Sequence, residues 1–215
     1  EACAAGQDGL QSGGEPGALH ALLGMLRARQ NDLSRALQHL REAHRMRPQD
    51  PSVAINLASA LAQEGLYEEA LAVASSDLAA LDRRFRLWRL RGFAAQSLER
   101  FDEAAAAYRT VIEAEPGDWE SWNNLGNACS ALGQTDQAIA ALRRAVELEP
   151  AAAPSRINLA RALVDAGAQS DAEEVLRQAA ADFPNDPVPL QELHALARES
   201  GRDEDALAYL TAAVE

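Results

Sequence analysis

The sequence reads as an all-α protein made from one antiparallel helix pair repeated along the chain, and three observations carry that reading. Alanine accounts for 47 of the 215 residues while aromatic residues make up 5%, a composition that suits close-packed helices and disfavours sheets. Ala36, Ala70, Ala104, Ala138, Ala172 and Ala206 stand 34 residues apart. Residues that stop helices keep the same step: Gly65, Gly133, Gly167 and Gly201 in one series, and Pro48, Pro116, Pro150 and Pro184 in another. A unit of that length holds two short helices, which cannot bury an apolar face alone and must stack on neighbours.

The elements follow in order. Residues 1–16 contain four glycines and no periodicity, and read as a flexible lead-in left by truncation or processing, without the apolar core of a signal peptide. Six units follow at 17–50, 51–84, 85–118, 119–152, 153–186 and 187–215, the last of them short. The unit 119–152 is the clearest. Trp122, Leu125, Ala128, Cys129 and Leu132 recur at three- and four-residue steps and make one apolar helix face. Gly133 permits a left-handed turn, Thr135 and Asp136 offer capping oxygens, and Ala138, Ile139, Leu142, Ala145 and Leu148 form the face of a second helix that Pro150 ends. Gly126, in series with Gly24 and Gly92, is small because the two helices must approach closely. Asn31 and Glu99 fill the turn-glycine place in the first and third units, and Asp82 fills the proline place in the second.

The stretch Trp122-Asn123-Asn124-Leu125-Gly126-Asn127-Ala128, followed by Gly133, Ala138, Leu142, Ala145 and Pro150, resembles the tetratricopeptide repeat (TPR) family over residues 17–215. The resemblance implies a right-handed α-solenoid of six repeats. The family's early aromatic is present as Trp88 and Trp122 but replaced by His20, Ala54, Arg156 and Leu190, and its first-helix tyrosine is absent from every unit.

Composition narrows the function classes. The net charge of −13 argues against a general nucleic-acid binder, which needs a basic field to neutralise phosphates. All 20 basic residues are arginine, so lysine Schiff-base chemistry is excluded. No phosphate-binding glycine loop, dinucleotide fingerprint or nucleophile elbow occurs. His39 and His44 are five apart and off a common helix face, His20 and His194 occupy structural places, and no metal site is expected. Cys129 sits on the apolar face as a structural residue. The expectation is a chain with no catalytic residues and no cofactor, without membrane insertion, placed in the cytoplasm with the periplasm left open.

Function is therefore expected on the inner wall. In the family, first helices line a concave groove, and the matching positions here include Asn56, Arg86, Arg89, Phe93, Asn123, Asn124, Asn127, Asn158 and Arg161. Asn56, Asn124 and Asn158 share the sixth place of their units. An Asn amide offers a donor and an acceptor, so a row of them pairs with an extended main chain. This resembles the asparagine ladder of O-linked N-acetylglucosamine transferases, with Leu22, Leu90 and Glu192 interrupting it. The chaperone-type carboxylate clamp matches worse, since Ala21, Met25 and Leu90 replace its members. Arg83, Arg84, Arg86, Arg89 and Arg91 crowd the start of one helix, where Arg86 and Arg89 are expected beside Phe93 and Asn127 to pair with an acidic or carboxylate-bearing segment. The leading expectation is a non-catalytic scaffold for a protein or peptide. The alternative is the repeat arm of a sulfotransferase- or glycosyltransferase-type enzyme whose catalytic domain lies outside the chain, an association of the family in bacterial proteins. Apolar residues Leu207, Leu210 and Val214 at the last helix suggest a chain that continues past Glu215, and self-association through the repeat ends.

Overall fold

The computed structural model describes residues 15–213, which form thirteen helices and no strand. The chain divides into two compact units, one ending at Val111 and one beginning at Ile112. The lead-in assigned to 1–16 lies outside the described residues except at its end, where Pro16 already opens the first helix.

In the first unit α1 (Pro16–Arg29) pairs with α2 (Leu33–Met46), and α3 (Pro51–Gln63) pairs with α4 (Tyr67–Val73). The four-residue α5 (Ser76–Ala79) follows, and α6 (Arg86–Ser97) leads into α7 (Phe101–Ala114). In the second unit α8 (Trp119–Ala131) pairs with α9 (Thr135–Leu148), α10 (Ala153–Asp165) with α11 (Gln169–Asp182), and α12 (Val188–Glu199) with α13 (Asp203–Ala212). First helices α8, α10 and α12 neighbour one another in that order. Proline at the first turn of α1, α3, α10 and α12 suits a position whose N–H has no helical partner.

One device ends the first helix of every pair. Asn31, Gly65, Glu99, Gly133, Gly167 and Gly201 all have positive φ, between 58° and 76°. The next residue donates its N–H five residues back, as Gln134 does to the Cys129 carbonyl at 2.9 Å, and Asp32, Leu66, Arg100, Ala168 and Arg202 repeat the bond. This is the Schellman closure, and it reverses the chain within three residues. It also displaces the expected cap: α9 begins at Thr135 itself, Gln134 stands at the N-cap, and no side chain caps it. Thr135 and Asp136 lie inside the first turn because the turn leaves no residue to spare before the helix.

The small residue on the first helix has a specific opponent sixteen residues on. A Cβ at Gly24 would meet Leu40 Cγ at 2.5 Å, one at Gly92 would meet the Tyr108 ring at 2.7 Å, and one at Gly126 would overlap Leu142. These opponents are fully buried, at 0–1% exposure. Glycine thus accommodates the bulk of the facing side chain, and burial pushes the Tyr108 hydroxyl well above the usual phenol range.

The pair formed by α3 departs from the regular pattern. Its second helix, expected to be continuous, breaks after Val73, and Ser75 Oγ accepts from the Leu78 N–H at 3.4 Å to start α5. Serines and an aspartate in Ser75-Ser76-Asp77 compete with the helix for backbone groups, which explains the break. Asp82, at the proline place, is buried, and its carboxylate accepts from Leu87 N–H at 2.9 Å and Arg84 N–H at 3.2 Å. It thereby supplies the cap for α6 that Phe85, at the N-cap with φ 54°, cannot provide.

At the far end α13 is held to α11 by Glu173. Its two carboxylate oxygens accept from Arg202 at 2.9 and 3.0 Å, and Tyr209 donates to one of them at 3.4 Å. The Arg202 hydrogen bond holds the Glu173 carboxyl below the usual carboxylate range. None of the described helices is long and apolar enough to cross a membrane.

Candidate functional site

The strongest polar constellation lies on α8 and α10. Leu125, Ala128 and Cys129 form the buried stripe of α8, with Trp122 half-buried at its start and donating its indole N–H to the Pro116 carbonyl at 3.0 Å. Asn123, Asn124 and Asn127 lie on the adjoining arc. Asn158 on α10 donates through Nδ2 to Asn123 Oδ1 at 3.0 Å, and Asn123 donates through Nδ2 to Asn124 Oδ1 at 3.3 Å. Asn123 is 9% exposed, whereas Asn124, Asn127 and Asn158 are half-buried. The two ladder residues Asn124 and Asn158 are thus joined by a third asparagine beneath them. The sequence placed Asn123 in the wall as one more contact, and its burial makes it a link instead.

Arg161, one turn beyond Asn158, gives both Nε and a terminal nitrogen to Glu192 Oε1, at 3.0 and 2.5 Å. The pair borders a cleft between α10 and α12 that is floored by Ala160, Val164 and Leu196 and flanked by Asp165 and Glu199. Glu192 holds the ladder place in its helix pair, so the guanidinium assigned to a ligand is already matched by a carboxylate of the chain.

The first unit carries the remaining predicted residues. Asn56 lies half-buried on α3 in a cleft shared with Met25 and Arg29 of α1 and with Ser59 and Gln63. On α6, Arg86 is exposed, Arg89 donates to the Arg84 carbonyl at 2.8 Å, and Phe93 is 46% exposed with its ring edge-on to Tyr67 at 5.9 Å. Arg91 is drawn the other way, to the Ala74 carbonyl and the Glu103 carboxylate. The arginine cluster therefore splits, with Arg83, Arg84 and Arg86 on the exposed side.

Two arrangements escaped the sequence reading. His20 and His39, taken separately there, meet across α1 and α2 with their Nδ1 atoms 3.0 Å apart. Burial first, then the neighbouring His20 and Arg27, lower the His39 pKa. Arg156, at the family's aromatic place, lies 5.3 Å from the Phe183 ring centroid and ion-pairs with Asp182, substituting a stacked cation for the missing ring. Nothing in one residue's spacing shows these partners, because they come from the facing helix. Among the described residues no three or more His, Cys, Asp or Glu come together to hold a metal ion. Cys129 is buried with a free thiol.

The helix pairs, their Schellman closures and the interleaved glycines define a tetratricopeptide-repeat protein. More particularly, residues 97–214, over half of the chain, match the family model for the TPR domain of cytochrome c-type biogenesis protein H, and the chain belongs to that family. A general tetratricopeptide-repeat model matches residues 27–92. Solved structures share the fold. MamA from Desulfovibrio magneticus RS-1, residues 41 to the end, is 22% identical at a TM-score of 0.74, covering 80% of this chain and 97% of that one. YrrB, described as a TPR protein with an unusual peptide-binding site, is 19% identical at a TM-score of 0.76, covering 89% and 98%. A TPR protein from Parabacteroides merdae is 18% identical at a TM-score of 0.80, covering 92% and 78%. No curated protein matches in sequence.

Proposed function

We propose that the chain is a non-catalytic scaffold that binds an extended peptide or partner segment along the concave groove formed by its first helices. The observation that carries the reading is the joined row Asn124–Asn123–Asn158, whose outer members face solvent with hydrogen-bonding groups to spare. A main chain offers alternating donors and acceptors, which such a row meets whatever the side chains are. The likeness to YrrB and its described peptide-binding site supports the same reading. Taken by itself, α6 of the first unit carries Arg86, Arg89 and the exposed Phe93, which suit a segment with a carboxylate and an apolar side chain. The family's description makes a protein of cytochrome c biogenesis the first partner to try. A second contact, between copies of the chain, is favoured by Leu207 on α13, which is 65% exposed.

The test uses dodecapeptides selected from a random display library on the full chain. Asn124→Ala and Asn158→Ala should each weaken the selected peptides about tenfold, or roughly 1.4 kcal/mol. The double change Arg86→Ala, Arg89→Ala should weaken acidic peptides and flatten their salt dependence. Peptide binding that none of these changes moves would remove the groove.

A further inference from the structure

We infer that the cleft between α10 and α12 selects a basic side chain, an arginine or lysine of the bound segment, whose stem lies in the cleft and whose charge is met by Asp165 and Glu199. The inference rests on the groove reading above and adds to it the chemistry of one side chain.

The floor sets the shape. Val164, Leu176 and Leu196 line a cleft of about 130 Å³, with Leu176 and Leu196 buried beneath it. That is room for one long side chain, and well short of the about 300–1,000 Å³ of a pocket for a drug-sized ligand. Apolar walls of this kind take the methylene stem of a lysine or arginine, whose head then stays at the mouth near water.

The mouth sets the charge. Its charged residues are Arg161, Asp165, Glu192 and Glu199. Arg161 and Glu192 are joined by bonds of 3.0 and 2.5 Å, and their charges cancel. Asp165 and Glu199 are exposed, and neither has an ion pair or hydrogen bond through its side chain among the described residues. The cleft thus keeps two carboxylates without a cation. A partner's carboxylate would be repelled there and an uncharged head would leave both acids unanswered, whereas a guanidinium or ammonium at the mouth gains from both.

The repeat supplies a comparison within the chain. Met25, Arg29, Asn56 and Gln63 hold the places of Arg161, Asp165, Glu192 and Glu199 four repeats earlier, and they line the corresponding cleft between α1 and α3. The described lining of that cleft includes Arg29 and no carboxylate. Equivalent places therefore carry opposite sign on the same pair of helix faces. The helix crossing is satisfied there without acids, so Asp165 and Glu199 answer no demand of the packing.

The test uses the full chain and random dodecapeptides displayed for selection on it. Peptides whose binding needs Asn158 should carry arginine or lysine at one recurrent position. Against the double change Asp165→Asn, Glu199→Gln, which keeps the shape of both exposed side chains, they should lose about five- to tenfold in affinity at low salt and less at high salt. Changing the peptide's basic residue to methionine should cost as much on the original protein and nothing on the variant. Glu64→Gln with Glu113→Gln removes the same charge from exposed positions elsewhere and should leave affinity within about twofold. Asn158-dependent peptides that carry no basic residue, or that bind the cleft variant within about twofold, overturn the inference and leave the groove reading standing. A control variant that weakens them as much as the cleft variant overturns it too. If no selected peptide needs Asn124 or Asn158, the groove reading falls and the cleft with it.

Discussion

Gly126 and Glu99 show opposite relations between a residue and its place. Gly126 has no room for a Cβ, since Leu142 already occupies the space and is fully buried. Gly126→Ala should destabilise the fold by about 1–3 kcal/mol, the range for forcing extra carbon into a filled core. A urea midpoint equal to that of the unchanged protein would show that Leu142 gives way freely. Glu99 is the reverse case. It sits at φ 58°, exposed, at a place where four of the six equivalent residues are glycine. A side chain in the left-handed region costs about 1–2 kcal/mol, and glycine's greater freedom in the unfolded chain offsets part of that. Glu99→Gly should therefore raise stability by about 0.5–1 kcal/mol, read from thermal melting; a lower melting temperature would contradict the strain assigned to it.

At the scale of the helix, pairing brings together groups that the sequence holds nineteen residues apart. The His20–His39 contact needs at least one neutral ring, because two protonated rings have no acceptor between their Nδ1 atoms. His39 is lowered by burial, His20 and Arg27, and His44, on the same helix, is lowered by burial. A histidine whose folded pKa is depressed takes up protons more readily when unfolded. Stability is then present above the unfolded value near 6.5 and is lost as pH falls through the folded value. Protection factors of the α1 and α2 amides, which take out the slower intrinsic exchange at lower pH, should drop as pH falls below about 6.5, and His39→Gln should remove much of that dependence. An unchanged pH profile in His39→Gln would assign the effect to other groups. The break between α4 and α5 belongs to this scale too. The 34-residue step continued through it, so the alanine and glycine series concealed a pair whose second helix is interrupted.

At the scale of the whole molecule, a net charge of −13 keeps copies apart while the last helix offers apolar surface. Leu207 and Leu210 are 65% and 45% exposed, and Val214 lies outside the described residues. If copies associate through this end, the mass seen by light scattering should rise with protein concentration and with salt, which screens the repulsion. The double change Leu207→Ser, Leu210→Ser should hold the protein monomeric. Identical scattering from both forms at every concentration would assign these leucines no part in association.

The helix pairs were legible in the sequence because the period is short and each place has a local physical demand. A left-handed turn asks for glycine, a helix start tolerates proline, and a close crossing asks for glycine or alanine. Those demands act on one residue at a time, so they mark one residue at a time. The asparagines of α8 and α10 were visible in the sequence for the same reason, as a residue type repeated at one place of the unit. What the sequence left open depends on which side chain arrives from the facing helix. Asn123 as a buried link, Arg161 matched to Glu192, His20 against His39 and Asp82 capping α6 are all fixed by hydrogen-bond geometry. The helix faces were set by local pattern, but the partners on them were decided by packing, because a buried polar group must find a partner wherever the neighbouring helix places one.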